Sequence, residues 1–278
     1  MMQEIGDEME QSTHAFTQSC GFAEGIAILD LCMAPGGYTA SALKYNPGAA
    51  AFGITLPPSK GGHGILLPSS QSSILLLDIT MLATEFGVEK VPLIHPEHAS
   101  FISDRPFFGK MFQLVFCDGQ VLRTHQRAEY REQQEAHRLT VSQLILGLQR
   151  ISTGGTMIVL LHKMESWDNM ELLYLFSRFS SVHVFKPKKK HAIRSSFYLI
   201  AKDVQPHTDS AKMAVAIWKQ TWWHTTFGGK AGTGDLPVPA DEVYIRATLD
   251  KFGREFVELG RPVWETQASA LSAMYFVK

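Results

Sequence analysis

Cysteine is scarce in this 278-residue chain, and its three cysteines are far apart. Cys20, Cys32 and Cys117 form no CxxC pair. That argues against a zinc site and a disulfide framework and fits a reducing compartment. No uninterrupted apolar run reaches the ~18 residues that a membrane span needs, and the N-terminal residues do not read as a signal peptide. An intracellular protein, cytoplasmic or nuclear, without a membrane partner is therefore expected. Basic residues are missing from the start of the chain: the first lysine is Lys44 and the first arginine Arg105, while Glu4, Asp7, Glu8 and Glu10 make residues 1–25 acidic. That stretch reads as a loose arm or a short helix. The net charge is −1 and the pI about 6.8. A protein that grips long nucleic acid by overall charge would be more basic, so any basic surface here is local. His63, His95, His98, His125 and His137 lack the spacing of metal ligands, so no metal is expected, and His95 and His98 read as surface loop.

What the chain does have is a repeated alternation. Apolar runs at 26–33, 49–56, 73–79, 112–117, 156–161, 182–185 and 197–201 read as strands, and 36–45, 123–151 and 168–179 as helices. The last two strands are joined without a long helix. This predicts an α/β fold with a mainly parallel sheet and an antiparallel final strand. Three regions follow: an N-terminal arm over 1–25, a main domain over 26–204, and an extension over 205–278. The extension breaks the alternation and carries Trp218, Trp222, Trp223, Phe227, Tyr244, Phe252, Phe256 and Trp264. It reads as a largely helical piece packed on the main domain; the alternative is an aromatic lid over a substrate.

The chemistry gathers around Ile28-Leu29-Asp30-Leu31-Cys32-Met33-Ala34-Pro35-Gly36-Gly37-Tyr38-Thr39. This is a buried strand, a small-residue turn and a helix start. Pro35 restricts the backbone and Gly36-Gly37 frees it, so a ligand can approach main-chain N–H groups at a helix N-terminus. Asp30 lies near the end of its strand, and Asp78, Asp118 and His162-Lys163 at or just after the ends of others. In parallel sheets, ligands sit at those carboxyl ends.

The stretch LDLCMAPGGYT and the later KPKKKHAIRSSFYLIAK resemble the FtsJ-like (RrmJ-like) S-adenosylmethionine-dependent methyltransferases. The resemblance spans roughly residues 26–202. It implies a seven-stranded Rossmann-like sheet, S-adenosylmethionine as methyl donor, and methylation of a ribose 2′-hydroxyl of RNA. Carried over position by position, Gly36 and Tyr38 match donor-contacting residues, with Asp30, Pro35, Gly37 and Thr55 around them. Asp78 matches the acid that holds the adenine amino group. Asp118 matches the acid that contacts the methionine part and belongs to a Lys-Asp-Lys-Glu catalytic set.

The rest of that set is missing. No lysine precedes Asp30, the second lysine aligns with Leu160, and the glutamate aligns with Ser196. The second strand ends at Thr55 without the acid that binds the ribose hydroxyls of the donor. His162 or Lys163 is the candidate substitute base. Residues two apart on a strand share a face, so His162 faces as Leu160 does and Lys163 faces away unless the strand ends or bulges. Lys186, Lys188, Lys189, Lys190, Arg194 and Ser196 are the candidate substrate-binding residues for RNA phosphates. The alternatives are a small-molecule acceptor and a cofactor-binding module without catalysis. The sequence leaves the oligomeric state open.

Overall fold

Phe112–Cys117 is buried along its whole length and lies at the centre of a sheet of seven strands. The computed structural model describes residues 1–18 and 25–274, so Cys20 and part of the expected arm lie outside the described residues. The strands are β1 (Ala27–Leu31), β2 (Ala50–Thr55), β3 (Ser72–Leu76), β4 (Phe112–Cys117), β5 (Ile151–His162), β6 (Ser181–Phe185) and β7 (Ser196–Val204), in the order β3-β2-β1-β4-β5-β7-β6. The first five run parallel. β7 is antiparallel to both β5 and β6 and is inserted between them. The composition follows the layout: β1 and β4 are almost wholly apolar because both faces are covered, whereas edge strand β6 alternates exposed and partly buried residues.

The period-two alternation of each strand divides two cores. Ile28, Leu114, Phe116, Ile158, Tyr198 and Ile200 pack beneath α1 (Met2–Thr13) and α2 (Gly37–Tyr45). Leu29, Leu31, Val115, Val159 and Leu199 face α3 (Glu135–Arg150), α4 (Trp167–Ser177) and α5 (Asp209–Phe227). The 31-residue α6 (Glu242–Ser272) packs on α4 and β6. Among the described residues no helix is long and apolar enough to cross a membrane.

One open local reading is decided and two are corrected. The acidic N-terminal stretch is a helix that buries Ile5 and Met9 completely, and the Glu10 carboxylate accepts from Phe16 N to hold the turn after it. The helix expected over 123–151 begins only at Glu135. Its charged first half has no apolar stripe to bury, and tertiary contacts capture it instead. The Arg131 guanidinium donates to Asp78 at 3.0 Å and to Glu135 at 2.6 Å, and Arg127 donates to the carbonyls of Leu122 and His125. His95 is not a surface residue: its ring packs edge-on against Phe101, Tyr130 and Phe227.

Of the tryptophans of α5, Trp218 and Trp222 are buried and Trp223 is exposed. Trp222 is fully buried and its Nε1–H donates to the Thr80 carbonyl at 3.0 Å. Trp222→Ala is expected to cost about 3–5 kcal/mol, the range for deleting a large buried aromatic. Trp222→Phe should cost less, about 1 kcal/mol for the lost hydrogen bond plus a small packing defect. Urea unfolding checks both; a cost below 1 kcal/mol for the alanine variant would mean that α5 does not share the core.

Candidate functional site

β1 leads to β2 and β3 on one side of the sheet, while β4 and β5 extend the other. The order therefore reverses between β1 and β4, and the crevice at their carboxyl ends is where such sheets take a ligand. A cavity of about 380 Å³ opens there. Register places Asp30 beside Phe116 and Leu31 beside Cys117, so Asp30 and Asp118 come together at its floor.

These two carboxylates dominate the electrostatics. Asp30 is 2% exposed; Thr39 Oγ1 donates to its Oδ2, and its Oδ1 has no partner. Asp118 Oδ1 is likewise buried and unpartnered. Burial raises both pKa values, and each charge opposes the other: Asp30 is pushed up to about 7, and Asp118 well above the usual carboxylate range. A buried acceptor without a donor is costly. A cationic ligand removes that cost and favours ionisation of the pair.

The turn after β1 forms one wall. Cys32, at φ 78, and Met33 both donate their N–H to the Ile54 carbonyl, which ends β1. Gly36, at φ 98, is the N-cap of α2, and Leu67 packs so closely over it that a Cβ there would lie 2.7 Å from that side chain. Pro35, Gly37, Tyr38 and Thr55 line the cavity; Gly36 does not. Thr55 Oγ1 accepts from Ala34 N at 3.4 Å. At the far wall, Asp78 accepts from Thr80 and from Arg131 at 3.0 Å. Burial alone would raise its pKa, but Arg131 and Thr80 outweigh that and hold it below its ordinary value. Asp78 is thus ionised where Asp30 is poised near neutrality.

The other end of the cavity is built on the α1/α2 face of β5 and β7. Leu160, His162, Ser196 and Tyr198 line it, with Tyr38, His191 and Arg194. Leu160 pairs with Tyr198 and His162 with Ser196 in register. The Tyr38 and Tyr198 hydroxyls are hydrogen-bonded to each other, and Tyr38 stacks on Phe116 at 5.9 Å. His162 bonds the Gln120 amide at 2.8 Å. Desolvation, then Lys186, Arg194 and His191, lower its pKa, so the imidazole is neutral at pH 7.

The lysines behave differently from one another. β5 ends at His162; Lys163 takes a left-handed backbone (φ 58), is exposed, and does not line the cavity. Lys186 is 5% exposed, and its ammonium donates to the carbonyls of His191, Arg194 and Ser196, which occupies all three protons. It ties down the β6–β7 connection and has no donor left for a phosphate. Burial lowers its pKa to about 8. Lys188 donates its backbone N–H to Glu8, and Lys190 lies 3.6 Å from Glu4. Lys189 is exposed, and none of the three lines the cavity.

Several lining residues escaped sequence reasoning: Met1 and Met2 of the N-terminal helix region, Gln120, His63, His125 and His191. The one available signal was the length of the β2–β3 connection and its Gly61-Gly62 pair. Among the described residues no aromatic of 205–278 lines the cavity, and no group of three or more His, Cys, Asp or Glu could hold a metal.

A family model described as FtsJ-like methyltransferase matches residues 11–204. No curated protein matches the sequence. Among solved structures the chain is distantly similar to an rRNA methylase from Streptococcus thermophilus, at 12% identity over 65% of this chain and 88% of that one, with a TM-score of 0.37. It is also similar to human methyltransferase-like protein 13 in complex with SAH, at 12% identity over 88% of this chain and 99% of that one, with a TM-score of 0.41.

The residues present fit S-adenosylmethionine, because two orphaned carboxylate oxygens suit its sulfonium and ammonium charges. A cation pulls the paired carboxyl pKa values down, so donor binding is expected to release protons near pH 6 and to tighten as pH rises through about 7. For the unliganded protein the sign is reversed: a raised folded-state pKa makes stability fall over the same range. Calorimetry in buffers of different ionisation enthalpy reads the proton release, and Asp30→Asn should diminish it. Affinity independent of pH between 5 and 8 would contradict the titration of this pair.

Proposed function

The chain belongs to the FtsJ-like methyltransferase family, and from that premise we propose that it methylates a ribose 2′-hydroxyl of RNA. The observation that carries the reading is a neutral imidazole, His162, on the strand and face where the family places a lysine, in the same cavity as Asp118. S-adenosylmethionine, when bound, supplies an electrophilic methyl group on a sulfonium. Asp30 and Asp118 offset that positive charge from below. His162 takes the proton from the attacking hydroxyl. The amide nitrogen of Gln120 donates to Nε2, so the neutral ring carries its proton on Nδ1, and Nε2 is the base once the attacking hydroxyl takes the place of that amide. Tyr38 and Tyr198 stay protonated, since burial raises both, and their hydroxyls position the acceptor. Arg194 and His191 hold a phosphate at the rim, with Lys188, Lys189 and Lys190 beyond it.

The competing acceptor is a small molecule. It draws support from α1, whose Glu4 and Glu8 contact the basic run and whose Met2, with Met1, borders the cavity. The absence of the family's lysine and glutamate at Leu160 and Ser196 supports a third reading, donor binding without turnover.

Labelled methyl transfer into RNA, followed by digestion to nucleosides, separates these readings. The expected product is a 2′-O-methylnucleoside. His162→Ala should lower kcat by roughly 10²–10⁴-fold, the worth of a general base. Lys163→Ala should leave it unchanged. The rate should fall as pH drops below the His162 pKa, because the imidazolium cannot accept a proton. A base-methylated product, or label found only in small-molecule extracts, would sink the ribose assignment.

RNA affinity gives an independent check. It should decline steeply with salt and weaken when Lys188, Lys189 and Lys190 are changed together to alanine. Affinity indifferent to salt would favour the small acceptor.

A further inference from the structure

The connection between β2 and β3 crosses the cavity as a roof. Leu66 N donates to the Pro35 carbonyl at 3.1 Å, which ties one side of the roof to the turn after β1. On the other side, Gln126 N donates to the Lys60 carbonyl at 3.0 Å, so this connection is clasped to the loop that follows β4. The clasp is tight. A Cβ on Gly61, at φ 89, would stand 2.2 Å from the Thr124 carbonyl oxygen, and one on Gly62 would stand 1.9 Å from the Leu56 carbonyl oxygen. Only glycine lets these backbones approach so closely.

The clasp brings His63 and His125 to the same part of the cavity, past the end of β2 where Thr55 stands without a neighbouring acid. The two rings are close enough for charge on His63 to depress the His125 pKa, after the larger effects of desolvation and Arg127. His125 Nδ1 accepts from Leu122 N at 3.4 Å, so the neutral ring carries its proton on Nε2 as a donor. No side-chain hydrogen bond within the described residues engages His63.

We propose that His63 and His125 bind the ribose hydroxyls of the methyl donor, in place of a carboxylate after β2. The assignment rests on the reading of this cavity as the donor site. His125 offers its Nε2–H as a donor, since Leu122 N occupies its Nδ1, while a neutral His63 ring offers one donor and one acceptor, and a vicinal diol can meet both. Two rings from clasped loops therefore suit the two hydroxyls. The arrangement also links binding to loop structure: the diol is recognised only when the roof is clasped to the loop after β4.

Calorimetry with S-adenosylhomocysteine and with its 2′-deoxy and 3′-deoxy analogues tests this without any methyl acceptor. Wild-type protein should bind the parent compound about 5- to 10-fold more tightly than each analogue, the worth of a neutral hydrogen bond. His63→Ala and His125→Ala should each lose a similar factor for the parent compound, and the discrimination against one analogue should collapse. His125→Gln, which keeps a donor, should recover part of the loss. Gly61→Val, which opens the clasp, should weaken the parent compound and remove discrimination against both analogues. Matching unfolding midpoints for the histidine variants rule out a folding defect as the cause. Wild-type binding with unchanged affinity and discrimination in both histidine variants would overturn the assignment and leave the donor site standing. Failure of wild-type protein to bind S-adenosylhomocysteine at all would overturn the donor site and this assignment with it.

Discussion

Two carboxylates share the floor of one crevice, and the rest of the site is arranged around that repulsion. Asp30 and Asp118 cannot both ionise cheaply while buried side by side. Each keeps one oxygen without a partner. The protein tolerates this because the position is dictated by topology: the sheet order reverses between β1 and β4, and the ends of those strands meet there. The cost is local, and it gives the cavity a preference for cations that a neutral lining would lack. Asp78 shows the contrast. It is also buried, but Arg131 and Thr80 satisfy it, so it is a fixed charge rather than a poised one.

The acceptor end obeys a different logic. Leu160 and Ser196 stand where the family resemblance implies a lysine and a glutamate, and an aromatic hydroxyl pair and a rim of imidazole and guanidinium surround them. Lys186 stands close by but is consumed by three backbone carbonyls. The imidazoles on this face, His162 and His191, are neutral at pH 7, while Lys186 keeps its charge among those carbonyls. Under the proposed function this suits proton removal by His162, with phosphate contacts falling to Arg194 and the exposed lysines.

Much of the architecture was legible in the strands. Seven apolar runs became seven strands: central strands buried on both faces need near-continuous apolar sequence, and edge strand β6 still shows apolar residues in alternation. The Ala-Pro-Gly-Gly turn was legible for a related reason, since its conformations suit few residue types. The segment 120–134 was not legible. Its charges have the spacing of a helix surface, but Arg131 finds Asp78 53 positions earlier in the chain, and no local pattern announces that pair. His95 was missed likewise, because its three aromatic neighbours come from separate segments.

By itself the sequence determined the fold class, the carboxylates at the strand ends and the family resemblance, because each rests on short-range pattern: strand periodicity, turn chemistry and motif spacing. Tertiary structure alone decided which of the candidate residues face one cavity. It turned Lys163 outward through a single left-handed residue. It buried Lys186, set Glu4 and Glu8 against the basic run, and brought His63 beside His125. The physical reason is that a side chain's availability depends on which distant groups reach it first. A lysine among backbone carbonyls and a lysine in water are the same letter in the chain.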